Sequence, residues 1–160
     1  INLLFSFLDD NFERKIESAI KAQSGDCFVS RSSAVLPEYK AYERGIATWL
    51  NAALGPVISG YLGALQHELG STSLQVMQSS GETMSANMAA QSAVTLLLSG
   101  PAGGLTAIAY LAKQVGKSKF LSFDMGGTST DVALLDGKIR RSNESSISNY
   151  PIAVPMVCLL

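Results

Sequence analysis

The chain has 160 residues, of which 47% are hydrophobic and only 16% charged, with a formal net charge of −1 and a pI near 5.8. One domain of that length can bury a sizeable core, and the lack of a basic excess excludes a surface built for nucleic acid. Charged residues fall below the roughly 25% usual for a soluble domain, so some faces are expected to need cover from the remainder of a longer parent chain.

No uninterrupted apolar run reaches the eighteen or so residues that span a bilayer. Ile1 to Leu8 is apolar but lacks the basic leader and small-residue cleavage site of a secretory signal. The expectation is a cytoplasmic protein without membrane association, entered mid-fold. Cys27 and Cys158 have neither metal-ligand spacing nor a small secreted framework around them and read as reduced thiols.

In chain order, Asp9 to Gln23 predicts a helix with Asp9 or Asp10 as cap and Phe12, Ile16, Ala19 and Ile20 at helical spacing. Cys27 to Val35 reads as a strand closing at Leu36-Pro37. Glu38 to Leu54 keeps helical period, and Gly55-Pro56 is expected to break it before a second helix, Val57 to Leu69. Within this pair Trp49 reads as a core residue and the lone His67 as solvated. Leu74 to Gln78 is a short strand, Ser79 to Glu82 a polar loop, and Ser85 to Ala90 a helical turn. Met77, Met84 and Met88 read as gap-filling core. Val94 to Leu98 has the continuous apolar character of a strand buried on both faces. Ser99-Gly100-Pro101 then turns into a helix, Ala102 to Val115, with Pro101 at its first position. Gly103 and Gly104 keep that helix thin, or Gly100 to Gly104 forms a phosphate cradle at a helix N-terminus, although it lacks the Lys-Ser/Thr ending of a P-loop.

The stretch that carries chemistry is Phe120 to Asp136, a strand, a tight turn and a strand. The turn, Asp124-Met125-Gly126-Gly127-Thr128-Ser129-Thr130-Asp131, joins two glycines and three hydroxyls between two carboxylates. Adjacent glycines allow φ > 0 and bring bare N–H groups against an anion. Hydroxyls donate to the same oxygens, and the acid pair implies a divalent cation between carboxylate and phosphate. The alternative is a plain hairpin with solvated acids, although a turn requires neither the acid pair nor the hydroxyls. Beyond it, Lys138 to Asn143 predicts a third strand. Its basic run Lys138-Ile139-Arg140-Arg141 is either a solvated hairpin end or an anion patch. Ser145 to Val157 is extended, punctuated by Pro151 and Pro155.

Asp-Met-Gly-Gly-Thr-Ser-Thr-Asp-Val, preceded by Ser99-Gly100-Pro101-Ala102-Gly103-Gly104, resembles the hydantoinase A / 5-oxoprolinase family of the actin-like ATPase superfamily. The resemblance extends over Tyr42-Glu43-Arg44, Leu50-Asn51-Ala52, Gly55-Pro56-Val57, Val76-Met77-Gln78-Ser79 and Tyr150 to Val157. The order of elements gives an α/β fold with a mixed sheet, and the resemblance makes it a partial actin-like (ribonuclease H-like) ATPase lobe. It implies the end of a preceding lobe in 1–36, crossover helices in 37–70 and part of a second lobe in 71–160.

The resemblance further implies ATP and Mg²⁺ as cofactors, a small cyclic amide as substrate, activation by phosphorylation before ring opening, and a hydantoinase B-type subunit or domain as partner. Asp124 and Asp131 are then the catalytic and metal-binding acids. Gly126, Gly127, Thr128, Ser129, Gly103 and Gly104 hold the nucleotide. Relatives that carboxylate ketones leave a second enzymatic reading, and a non-catalytic nucleotide-binding module a third. Arg44 contacts substrate or an opposing lobe, or is an exposed helical charge. Glu82 stands where the family usually has a glycine.

Overall fold

A single helix, α3 (Ala41–Leu69), runs through the centre of the molecule and carries Pro56 inside it. The computed structural model describes residues 1–127, 130–147 and 149–158, with the backbone alone at Ile147. Two helices separated at Gly55-Pro56 were the expectation, and one continuous helix is the finding. An interior proline removes one backbone hydrogen bond and costs about 3 kcal/mol. Burial on both sides of it, at Ala47, Thr48 and Asn51 before and Leu62 after, offsets that loss. Gly55 serves packing rather than breakage, because a Cβ there would collide with the ring of Phe28.

Helix α1 (Asn11–Gln23) matches its expected span. The N-cap position is Asp10, whose side chain makes no capping bond, and the Asp9 carboxylate before it accepts from the Asn11 N–H at 3.0 Å. Asp10 instead pairs with Arg14 at 2.7 Å and Arg31 at 3.2 Å. The apolar stripe of α1 faces outward, with Phe12 66% exposed, while Glu13 is buried. The strand expected over Cys27 to Val35 is absent. That segment, tied to Ile1 by main-chain bonds at Ser30 O and the Ser32 N–H, runs into a one-turn helix, α2 (Ser32–Val35), where the Ser33 N–H and the Ser32 hydroxyl turn inward to the Glu13 carboxylate.

Strands β1 (Gln75–Met77) and β2 (Thr83–Ser85) form a small hairpin, followed by α4 (Ala86–Gln91), whose N-terminus Ser85 caps. The strand expected over Val94 to Leu98 is a 3-10 turn, Ala93–Leu96, and helix α5 (Ser99–Gln114) starts directly after Leu98. A short apolar run does not distinguish a buried strand from a buried helical turn. Pro101 consequently occupies the third position of α5 rather than the first.

A turn through Gly116, at φ 66°, sends β3 (Lys119–Met125) back along α5 and into β4 (Thr130–Asp136). Beyond Asp136 the expected third strand is not added to this pair. Lys138 makes a lone bridge to Asp136, and β5 (Arg141–Ser142) pairs with β8 (Met156–Val157) instead. Between them β6 (Ser145–Ile147) and β7 (Tyr150–Ile152) form another hairpin. Among the described residues the sheets are therefore four antiparallel pairs. The inner face of β3–β4 packs on α5 through Leu105, Ala112, Ala133 and Leu135, and that cluster seats the hairpin.

Several apolar faces lack cover. The outer face of β3–β4 carries Leu121, Phe123 and Met125, the last 74% exposed. Trp49, expected in the core, is 52% exposed and tilts against Tyr150 with ring centroids 5.4 Å apart. Isolated two-stranded hairpins are marginal in water, and contiguous apolar patches mark interaction surfaces. The purified chain is accordingly expected to self-associate and to bind a hydrophobic dye, both suppressed by the remainder of the parent chain. A monomeric, dye-silent chain in light scattering and fluorescence titration would contradict this.

Candidate phosphate-binding hairpin

The β3–β4 register pairs Phe120 with Leu135, Ser122 with Ala133 and Asp124 directly with Asp131. Side chains alternate across a strand, so the two carboxylates share the face that further along packs on α5. Packing holds one end of that face, and the acid end emerges toward solvent: Asp124 is exposed and Asp131 half-buried. Directly opposite residues in an antiparallel pair have Cβ atoms about 4.5–5.5 Å apart, and like charges there repel. Among the described residues neither carboxylate has an ion-pair partner within 4 Å.

Beyond Asp124 the chain enters the turn. Gly126 and Gly127 are exposed, and Thr128 and Ser129 lie outside the described residues. A Cβ at Gly127 would meet nothing within 4 Å, and its φ is not in the left-handed region. Gly127 does not use the freedom for φ > 0 that adjacent glycines allow, and its lack of a side chain leaves the backbone open from outside. Among the described residues no group of three or more His, Cys, Asp or Glu is assembled. Two facing carboxylates beside an open glycine turn fit a cation completed by phosphate oxygens and water better than one held in an all-protein cage.

Gly103 and Gly104 are the fifth and sixth residues of α5, where backbone N–H groups are engaged within the helix. A Cβ at Gly103 would lie 3.7 Å from Met77 Cγ, an ordinary packing contact, and Gly104 borders open space, so neither position requires glycine for packing. The loop Ser79 to Glu82 is tied into the frame on every side. Ser79 Oγ donates to Pro155 O at 3.0 Å, Thr106 Oγ1 to Gly81 O at 3.2 Å, and Arg141 Nε to Ser80 O at 2.7 Å. Gly81 has φ 79°, and a Cβ there would stand 2.9 Å from Thr106 Oγ1, so this position does require glycine. Glu82 pairs with Arg141 at 3.4 Å, an exposed contact of small energetic weight.

Arg44 is not an exposed helical charge, and its partners lie in the segment before α3. It is 1% exposed, donates to Asn2 Oδ1, Ser32 Oγ, Glu38 O and Leu3 O, and lies over the Phe7 ring. Ser32 in turn donates to Glu13 Oε1 at 2.6 Å. Burial opposes ionisation of Glu13, but hydrogen bonds from the Ser32 hydroxyl and the Ser33 and Leu3 N–H groups outweigh it and hold the carboxyl down at about 2. A buried glutamate on a helix whose apolar stripe faces outward leaves no periodic signal, so this network escaped sequence reasoning. His67 is solvated, as expected.

A cavity of about 970 Å³ lies between residues 25–31, α3 and α4, with no hairpin residue in its lining. The acid pair and glycine turn thus stand on an open surface, suited to be one wall of a site closed by other parts of a larger protein.

A family model described as hydantoinase/oxoprolinase matches residues 44–159. The chain is 32% identical to caprolactamase subunit alpha from Pseudomonas jessenii over 98% of its own length and 23% of that protein's. To 5-oxoprolinase 1 of Arabidopsis thaliana it is 33% identical, over 97% of the chain and 12% of the relative. The nucleotide-free structure of acetone carboxylase, described with ATP-dependent acetone carboxylation, superposes with a TM-score of 0.81 at 27% identity, covering 99% of this chain and 23% of that one. The chain therefore spans about a quarter or less of the length of these proteins. The mixture of helices and strands corresponds to part of an actin-like ATPase fold.

Proposed function

The chain belongs to the hydantoinase/oxoprolinase family, and from that premise we propose that it is the part of an ATP-dependent cyclic-amide hydrolase that presents one phosphate-binding hairpin. The observation that carries the reading is the direct apposition of Asp124 and Asp131 beside the open backbone of Gly127. In this reading residues 1–36 end a preceding lobe, 37–70 form the crossover and 71–160 belong to a second lobe. The parent is cytoplasmic and works with a hydantoinase B-type subunit or domain, in keeping with the name of its caprolactamase relative as a subunit alpha.

Asp124 and Asp131 would hold Mg²⁺, and Gly126, Gly127, Thr128 and Ser129 would receive phosphate oxygens. Gly103 and Gly104, with their N–H groups engaged inside α5, add no phosphate donors. ATP would supply the phosphoryl group that, placed on the amide oxygen of a ring such as a hydantoin or 5-oxoproline with ADP released, makes the amide carbon electrophilic toward water and leaves as phosphate when the ring opens. The chain's own contribution is positioning and electrostatic complementarity to transferring phosphate. Asp131, the less exposed acid, also orients the attacking water.

Ketone carboxylation is the second reading, favoured by the superposition on acetone carboxylase. It uses the same hairpin and differs in what the rest of the parent presents to it.

Gly127→Val tests the hairpin. Its side chain has free space in the protein, so the thermal midpoint of the parent should stay within about 1 °C, while a β-branched group standing where phosphate approaches should weaken ATP binding about tenfold or more. Unchanged ATP affinity in calorimetry would refute the assignment. Ring-opening assays with 5-oxoproline and hydantoin, run beside a carboxylation assay with acetone, separate the two substrate readings.

A further inference from the structure

The basic run Lys138-Ile139-Arg140-Arg141 takes no part in the hairpin turn, yet the fold brings other cations to it. A recess of about 660 Å³ opens between the C-terminal end of α5, the turn into β3 and the chain leaving β4. Lys113, Lys117, Lys138 and Arg141 line it over an apolar floor that includes Ala112 and Leu135, and no carboxylate does. Of the chain's twelve Lys and Arg residues six fall between Lys113 and Arg141, against three acids. Two of those acids, Asp124 and Asp131, stand at the opposite end of β3–β4, and the third, Asp136, faces Lys119 at 4.0 Å.

Arg141 is held by Ser80 O and Glu82. Among the described residues Lys113, Lys117 and Lys138 have no carboxylate within 4 Å. Lys113, in the last turn of α5, offsets the helix's terminal carbonyls. That role needs one cation, and it does not account for Lys117 and Lys138 arriving from two further segments to face the same space. Like charges gathered without partners oppose the compact state, and an anion between them relieves it.

The recess size falls within the range of small-molecule sites, about 300–1,000 Å³. Two of its backbone donors are used within the protein, the Gly137 N–H on Ser118 O and the Lys117 N–H on Ala112 O. Its charged donors are mostly rotatable ammonium groups, which serve phosphate as point charges, whereas planar carboxylate recognition favours the guanidinium fork.

We propose that this recess is a second anion site, for a small multivalent phosphate, distinct from the hairpin turn. Seven residues of β3 separate the two ends, about 20 Å at 3.3 Å per residue, so one phosphate group cannot serve both.

The test is calorimetric titration of the whole parent protein with inorganic tripolyphosphate at low ionic strength. Wild type and Gly127→Val should both bind it at the recess, and Lys113→Gln/Lys117→Gln/Lys138→Gln should bind about tenfold or more weaker there with an unchanged thermal midpoint. Lys138→Gln alone should show a smaller loss and serves as the readout if the triple variant does not fold. A control, Lys15→Gln/Lys21→Gln on α1, should leave affinity intact. Equal affinity in wild type and the lysine variants overturns the proposal, as does an equal loss in the α1 control. Binding of an acidic peptide where tripolyphosphate fails to bind also overturns it, and makes the recess a protein-docking patch.

Discussion

Asp124→Asn in the complete parent enzyme is expected to lower ATP-coupled turnover by about 10²-fold or more while leaving the fold intact. Asparagine nearly reproduces the shape of aspartate and removes only its charge. Asp124 is exposed and faces a second carboxylate across the β3–β4 register. Removing the charge takes away repulsion rather than a stabilising contact, so the thermal midpoint should hold or rise slightly. Turnover should fall because neutralising the cation at a transferring phosphate is the term lost. A plain hairpin predicts the same small gain in stability but with activity untouched. Thermal melts beside ATPase and ring-opening assays decide between the two, and a fully active Asp124→Asn enzyme ends the phosphate-site reading.

The hairpin that carries this prediction was legible because two local signals agree. The apolar runs Phe120 to Phe123 and Val132 to Leu135 define the strands and the glycine pair marks the reversal, while the register that sets Asp124 directly opposite Asp131 is a finding of the structure. Helix α1 was legible by its periodicity, but the face it buries was not. Phe12 and Ile16 are turned outward and Glu13 inward, because inward is where Ser32, Ser33 and Leu3 offer donors. Pro56 and the run Val94 to Leu98 misled for a related reason. A proline penalty or a short apolar run is a weak local preference, and packing along α3 and around Val94 outweighs it. Trp49 failed differently. Large apolar area predicts burial only where the covering partner is present, and the chain spans about a quarter or less of its relatives.

Glu13→Gln is expected to destabilise the protein by about 3 kcal/mol or more at pH 7, the range for breaking a buried charged network by removing one member. The substitution keeps volume but turns one carboxylate oxygen into an amide donor. It would face the Ser32 hydroxyl and the Leu3 N–H on one side or the Ser33 N–H on the other, all of them donors to Glu13. Arg44 Nε donates to the same Ser32 Oγ, so a hydroxyl that can no longer donate to Glu13 also disturbs this buried contact. The pH dependence supplies an independent check. The folded carboxyl titrates at about 2, below its ordinary 4.5, so its contribution is fully present above pH 4.5 and is lost as pH falls from there toward 2. Urea unfolding at a series of pH values should therefore show wild type and Glu13→Gln far apart at pH 7 and converging below pH 4.5. Two stability curves that stay parallel down to pH 3 would show that Glu13 fills space and that its charge contributes nothing to the fold.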